Sequence, residues 1–242
     1  MQEAVEMGTN RTGVARSMCA EDMRNGLAPA DDASRAEGAA AISAAELDFL
    51  HEADAVGSVP VPKTVKGATK AVLGKLAGKN PEVLINKLGE RLAFERSGAR
   101  LYDSLITKCE AAQGACPVPV EELKQFREDE VEHFNLLVET LASMGADPTA
   151  QTPDADLAGV ASAGVLQVVS DPRATIAQAL TAMLTAELAD NAGWELLAKL
   201  AEAYGLDGAA QRFRVALAAE ERHLARMRQW LEQETTAHAG LA

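Results

Sequence analysis

Several features that define common protein classes are scarce in this 242-residue sequence. Aromatic residues make up 4% of the chain, and the three cysteines, Cys19, Cys109 and Cys116, include no C-x-x-C pair. An odd number of cysteines without that spacing argues against a disulfide framework and against a zinc-ribbon or rubredoxin-type site, and it is typical of a reducing compartment. The longest apolar stretch, around 158–169, is too short to span a bilayer, and the first residues lack the apolar segment of a signal peptide. We therefore expect a soluble, cytoplasmic protein that makes no membrane contact.

Positive charge is also in short supply. Lysine and arginine total 23 against 36 aspartates and glutamates, which gives a formal net charge of −13. Phosphate would be repelled by such a chain, so nucleic acid is not expected as a partner. The abundant residues are Ala, Leu and Glu, which favour packed helices over a sandwich or a barrel. The composition therefore predicts an all-α protein.

Residues 1–79 and 80–242 differ in pattern. The first segment is rich in small and polar residues and has no sustained periodicity, which predicts an extended, partly irregular N-terminal arm with one short helix near 44–51. Asn80, Pro81 and Glu82 then supply the N-cap, first-turn proline and early acid of a helix start. Four long helical patterns follow. A short loop joins the first pattern to the second and the third to the fourth, and a long segment separates the two pairs. This order predicts two antiparallel hairpins joined by a crossover at 145–171. The four long helical patterns lie at about 81–109, 120–144, 172–205 and 208–233.

Each of these helical patterns carries a glutamate in the middle of its apolar stripe. In the first pattern Glu95 is read as the only charge on the stripe, and the third pattern has Glu187 at the matching place. The second and fourth patterns contain the motif E-x-x-H, at Glu130 with His133 and at Glu220 with His223. Glu95 precedes Glu130 by 35 residues and Glu187 precedes Glu220 by 33, so the two hairpins repeat one pattern.

Charges on an apolar stripe are costly to bury unless they are paired or bind a metal. Residues three apart lie on the same face of a helix, so each E-x-x-H offers a carboxylate and an imidazole to one point. Two such helices together with two lone glutamates supply four carboxylates and two imidazoles. The sequence therefore predicts a site for a pair of metal ions.

This pattern resembles the ferritin-like dinuclear carboxylate proteins, in which two helices each supply a glutamate and two supply E-x-x-H. The resemblance covers about 81–233 and implies a ferritin-like four-helix bundle. Tyr102, seven residues after Glu95, matches the tyrosine near the site in ferritins and rubrerythrins and is implied as a catalytic donor. The implied metal ligands, two of whose carboxylates bridge the ions, are Glu95, Glu130, His133, Glu187, Glu220 and His223.

Carboxylate-rich coordination with few imidazoles suits iron or manganese. The resemblance thus implies a metal-dependent oxidoreductase that holds two iron ions, or manganese or a mixed Mn/Fe pair, and reacts with O2 or H2O2 in a ferroxidase-like or peroxidase-like way. Because the chain has no rubredoxin module, its electrons would come from another protein, and bundles of this type form homodimers or higher homo-oligomers. Three alternatives stay open: an iron-storage protein without an organic substrate, a manganese catalase-like enzyme, and a metal-free scaffold.

Other polar residues lie close to these ligands in the sequence. Asp190 could accept a hydrogen bond from a ligand imidazole, as metal-bound histidines usually require, or could face solvent, and Asp129 is a second residue suited to that role. Glu90 is a rival to Glu95, although its helical neighbours form a weaker apolar stripe. Cys109 and Cys116 flank the first hairpin loop and are interpreted as free thiols rather than a redox pair.

Overall fold

The computed structural model describes residues 32–60, 80–112 and 116–241. Within these ranges all the regular structure is α-helical, which confirms the expected fold class at that level. None of the helices in the described ranges is both long and apolar enough to cross a membrane. The helices are α1 (Asp32–Glu52), α2 (Pro81–Ala111), α3 (Val120–Met144), α4 (Pro153–Ser170), α5 (Ile176–Ala203) and α6 (Asp207–His238).

The chain divides into two compact units, residues 1–55 and 56–242. The first unit contains α1, whose side chains are exposed from residue 36 to residue 52. This helix is longer than the short one predicted at 44–51, and its exposed course explains why no apolar stripe marked its length. The remainder of the predicted arm, at 1–31 and 61–79, lies outside the described residues, as does Cys19.

The four long helices begin and end close to their predicted positions because their caps are local. The Asn80 side chain accepts a hydrogen bond from the Glu82 N–H ahead of α2. Thr175 and Gln178 form a reciprocal capping box at the start of α5. Gly145 ends α3 with a left-handed backbone, φ 82°, which glycine adopts without the steric cost of a side chain.

The crossover contains a helix that the sequence analysis missed. α4 occupies most of 145–171 and starts at the Thr152 N-cap, yet few of its side chains are buried, among them Ala155 and Val169. With so few inward positions it carries no apolar stripe, and this is why its periodicity was not detected. Contacts at Asn86 and Lys108 place α4 alongside α2: the Asp154 N–H donates to Asn86 Oδ1 at 3.0 Å, and Lys108 Nζ donates to the Asp171 carbonyl at 2.8 Å.

Two apolar clusters show how the four long helices pack. α2 contacts α3 and α5, and α6 contacts α5 and α3, so the four close around a common interior. One cluster joins the start of α2 and the end of α3 to the end of α5 and the start of α6. The other joins the opposite ends of the same helices. Each hairpin is therefore antiparallel, and a layer of buried polar side chains lies between the two clusters.

Candidate metal centre

The six side chains predicted as ligands all lie in the polar layer at the middle of the four long helices. The exposed fraction of each is at most 7%, and it is 0% for Glu95, Glu220 and His223. Carboxylates so far from water are stable only if protons, cations or metal ions compensate their charge. The structure thus brings together the residues Glu95, Glu130, His133, Glu187, Glu220 and His223.

Glu220 lies at the centre of the cluster. Its Oε1 is 2.7 Å from His133 Nδ1, and its Oε2 is 3.0 Å from His223 Nδ1. Each oxygen of this carboxylate therefore faces a different imidazole, one on α3 and one on α6. Glu220 therefore offers one oxygen to each side of the cluster.

The imidazole of His223 is held from behind by a second carboxylate. Its Nε2 lies 3.0 Å from Asp129 Oδ2, so Nδ1 is the nitrogen directed at Glu220. The ring also packs against Phe126, with centroids 4.1 Å apart. Asp129 therefore has the contact with a predicted ligand imidazole that was considered for it from the sequence.

The imidazole of His133 has different neighbours. Its Nδ1 lies 3.7 Å from Glu95 Oε2 as well as 2.7 Å from Glu220 Oε1. The ring meets the buried Trp194 edge to face, with centroids 5.3 Å apart. His133 and Glu95 thus approach each other from neighbouring helices at one side of Glu220.

Glu187 is buried on α5 beside Tyr102. The Tyr102 hydroxyl donates to Glu187 Oε1 at 2.5 Å, and the phenol is fully buried. Burial, reinforced by the charge of Glu187, raises the pKa of Tyr102 well above its usual value, so the phenol stays protonated. The predicted donor residue therefore contacts one of the predicted ligands directly.

Arg91 is a buried member of the cluster that the sequence analysis missed. Its Nε is 3.3 Å from Glu95 Oε1, and its Nη1 is 2.9 Å from Asp190 Oδ1 and donates to the Asp190 carbonyl. The interpretation of Glu95 as the only charge on its stripe is therefore wrong, because Arg91 lies one turn earlier on the same buried face. That spacing of four residues was the signal that could have found it. Asp190 is buried too, and its partner is this guanidinium rather than solvent.

Two glycines leave room for the charged side chains. A Cβ at Gly98 would come within 2.8 Å of Glu130 Cδ, and a Cβ at Gly193 within 2.9 Å of Arg91 Cζ. Carbon atoms normally pack no closer than about 3.5 Å. Both glycines therefore lie where a larger residue would displace a member of the cluster.

The protonation states follow from the mutual contacts. Burial disfavours charge on both imidazoles, yet the carboxylates around them raise the pKa of His133 to about 10 and that of His223 to about 9. Burial also acts against a charged Glu220, but the two imidazoles lower its pKa to about 2. Burial together with the charge of Glu220 raises the pKa of Glu187 to about 8. The same two causes raise the pKa of Glu130 well above its ordinary value. The metal-free cluster thus holds protons that a cation would displace.

The donor atoms are close enough to share metal ions. Three sets of oxygens and nitrogens lie within 4.8 Å of one another: Glu95 with His133 and Glu220; Glu130 with Glu220 and His223; and Glu95 with Glu130, Asp190 and Glu220. Glu187 is outside these sets and keeps its bond to Tyr102. Two buried carboxylate oxygens, Glu130 Oε2 and Glu187 Oε2, make no hydrogen bond within the described part of the chain, whereas the oxygens of Glu95, Asp190 and Glu220 face Arg91 or an imidazole. These residues therefore fit a metal ion, whose identity the geometry does not specify.

Three other residues considered in the sequence analysis, Glu90, Cys109 and Cys116, are not members of this cluster. Glu90 is half-buried and pairs with Lys87 Nζ at 2.7 Å, so it does not compete with Glu95 for the cluster. Cys109 and Cys116 are free thiols, the first buried and the second half-buried. Burial, with Cys116 close by, raises the pKa of the Cys109 thiol.

Comparisons with protein-family models, with curated proteins and with solved structures find no match for this chain. What the cluster binds is therefore inferred from its own residues and their geometry.

Proposed function

We propose that this chain is a ferritin-like dinuclear metal protein and that it reacts with O2 or H2O2. The observation that carries the proposal is Glu220, whose two oxygens face two imidazoles on separate helices at 2.7 and 3.0 Å. The donor set around it is rich in carboxylates and contains two imidazoles, which suits iron or manganese better than zinc. The proposed ligands are Glu95, Glu130, His133, Glu187, Glu220 and His223.

A pair of iron or manganese ions bound there would supply cycling between divalent and trivalent states. The protein's part is to hold the carboxylates in place and to exclude bulk water from them. Tyr102 would be the nearby donor, since its buried hydroxyl already donates a hydrogen bond to Glu187 Oε1, an oxygen of one of the proposed ligands. The electrons would come from a separate protein, because the sequence contains no C-x-x-C electron-transfer module.

A small cavity borders Arg91 on one side of the cluster. A cavity of about 170 Å³ between α2, α4 and α5 is lined by Arg91, Phe94, Gly193 and Leu197 among others. Arg91 also contacts Glu95, so its guanidinium separates this cavity from the carboxylates. A molecule as small as O2 or H2O2 fits such a space, which supports a small oxidant over a bulky organic substrate.

The first test is the metal content of protein purified without added metal, by mass spectrometry. Two irons per chain, and the absorption of a coupled di-ferric pair after ferrous iron is supplied in air, are the expected results. Two manganese ions would favour catalase-like chemistry, and many irons per chain would favour storage. Protein that binds neither metal even after reconstitution would contradict the proposal and would favour a metal-free scaffold.

A matched pair of variants separates ligand loss from general charge loss. Glu220→Gln should lower the affinity for Mn²⁺ at least about tenfold, because it removes a negative donor from the centre of the cluster. Glu221→Gln makes the same change at the exposed neighbouring position and should leave affinity unchanged. Isothermal titration of the two metal-free variants measures this, and equal affinities would contradict the central role of Glu220.

A further inference from the structure

The two halves of the cluster are related by the sequence repeat but differ in their surroundings. Asp129 precedes Glu130, whereas Ala219 stands at the matching position before Glu220. Arg91 precedes Glu95 by four residues, whereas a methionine precedes Glu187 by four. Both added groups therefore belong to the first repeat, but they act on different sides of the cluster: Asp129 lies behind the imidazole of His223, and Arg91 lies beside the carboxylate of Glu95.

On the His223 side the added group strengthens a metal ligand. Asp129 Oδ2 accepts from His223 Nε2 at 3.0 Å, which leaves Nδ1 unprotonated when a metal binds and fixes the plane of the ring. A carboxylate in this position makes the imidazole more basic, and removing such a partner typically weakens metal binding by about 10- to 100-fold. Glu130 and Glu220 are the carboxylates within reach of the same nitrogen.

On the His133 side the added group competes with a metal. Arg91 Nε lies 3.3 Å from Glu95 Oε1, and Arg91 Nη1 lies 2.9 Å from Asp190 Oδ1. Two carboxylates on this side are therefore already engaged by a fixed cation that is 4% exposed. A metal ion here has to share Glu95 with the guanidinium, and Ala219 offers no carboxylate behind His133.

We propose that the two metal positions differ in affinity, that the position beside His223 fills first, and that Asp129 is the positioning residue responsible. This inference rests on the proposed dinuclear function. It adds an order of loading and a residue that sets it, neither of which the sequence repeat predicts, because a repeat by itself gives two equal half-sites.

The test is a titration of the metal-free full chain with Mn²⁺, followed by calorimetry and by electron paramagnetic resonance. Two binding steps separated by at least about tenfold are expected. At one molar equivalent the spectrum should be that of isolated Mn²⁺, and the signal of coupled ions should grow only during the second equivalent. Equal steps, or coupled ions already dominant at one equivalent, would overturn the inference.

Variants assign the steps to the two sides. Asp129→Asn should weaken the first step about tenfold and leave the second within twofold, whereas a merely structural role would weaken both steps together. Glu128→Gln is the matched control, because Glu128 is exposed and its carboxylate pairs with Arg127. If Glu128→Gln weakens the first step as much as Asp129→Asn, the inference is overturned.

Removing each imidazole supplies an independent check. His223→Ala should abolish the tight step, and His133→Ala should abolish the weak one. The reverse assignment would overturn the inference while leaving the metal centre intact. Wild-type protein that binds no Mn²⁺ at all would instead contradict the proposed function, so the two failures are distinguishable.

Discussion

Gly98→Ala is a substitution for which helix propensity and site geometry predict opposite changes in stability. In the middle of a helix, alanine is ordinarily more stable than glycine by about 1 kcal/mol. At Gly98, however, the new Cβ would lie 2.8 Å from Glu130 Cδ, and carbon atoms need about 3.5–4.0 Å. The Glu130 carboxylate must therefore move by about 1 Å.

The expected magnitude follows from these two effects. Overpacking a buried position costs about 1–3 kcal/mol, so after the gain in helix propensity we expect the metal-free variant to lose roughly 1 kcal/mol of unfolding free energy. Metal binding should suffer more, because ligand positions are held to about 0.2 Å in good metal sites. We expect Mn²⁺ affinity to fall at least about tenfold, which corresponds to about 1.4 kcal/mol.

The assay pairs calorimetric Mn²⁺ titration with thermal denaturation of metal-free and metal-loaded protein. Gly159→Ala is the control, because Gly159 lies in α4 with no atom within 4 Å of its added Cβ. That control should raise the melting temperature by roughly 2–4 °C and leave Mn²⁺ binding unchanged. If Gly98→Ala binds Mn²⁺ as tightly as the wild type, the reasoning that places Glu130 among the ligands is refuted.

Three further predictions concern protons and the hydrogen bond of Tyr102. The metal-free protein should lose stability as pH rises from 6.5 to about 10, since the pKa of folded His133 is about 10 and that of His223 about 9. Stabilisation from a raised pKa is complete below the pKa of the unfolded state and is lost above the pKa of the folded state. Mn²⁺ affinity should rise over the same pH range, because protons then cease to compete with the metal. Melting temperatures and titrations across that range check both, and a flat stability profile would contradict the first. Tyr102→Phe leaves Glu187 Oε1 without its donor and should cost about 1–3 kcal/mol of unfolding free energy by urea denaturation; an unchanged midpoint would show that this bond contributes nothing.

The helical architecture and the cluster were predictable because each left a local signal. Asn80 and Pro81 marked the start of α2, and a glutamate on each apolar stripe marked the polar layer. A charged residue on an apolar stripe faces the interior of the fold, so Glu95 and Glu220 could be assigned to a buried polar layer before any geometry was known. Their burial at 0% agrees with that expectation.

What the sequence did not predict depended on neighbours that are distant in the chain or on a weak pattern. Asp190 gave no sign of its partner, because Arg91 is 99 residues away. The contact of Asp129 with His223 spans 94 residues and could be proposed only as one of two options. α4 was missed because most of its side chains face outward and small apolar residues leave its two faces alike.

The charge balance of the polar layer indicates why a metal-free role fits it poorly. Buried polar layers made only for packing can be replaced by apolar side chains of similar volume at little or no cost. Here the carboxylates are held instead by protons on His133 and His223 and by the fixed cation of Arg91, and Glu187 retains a proton to about pH 8. Two divalent ions would replace those mobile protons while Arg91 stays in place. The proposed metal pair therefore predicts that protons are released when the ions bind.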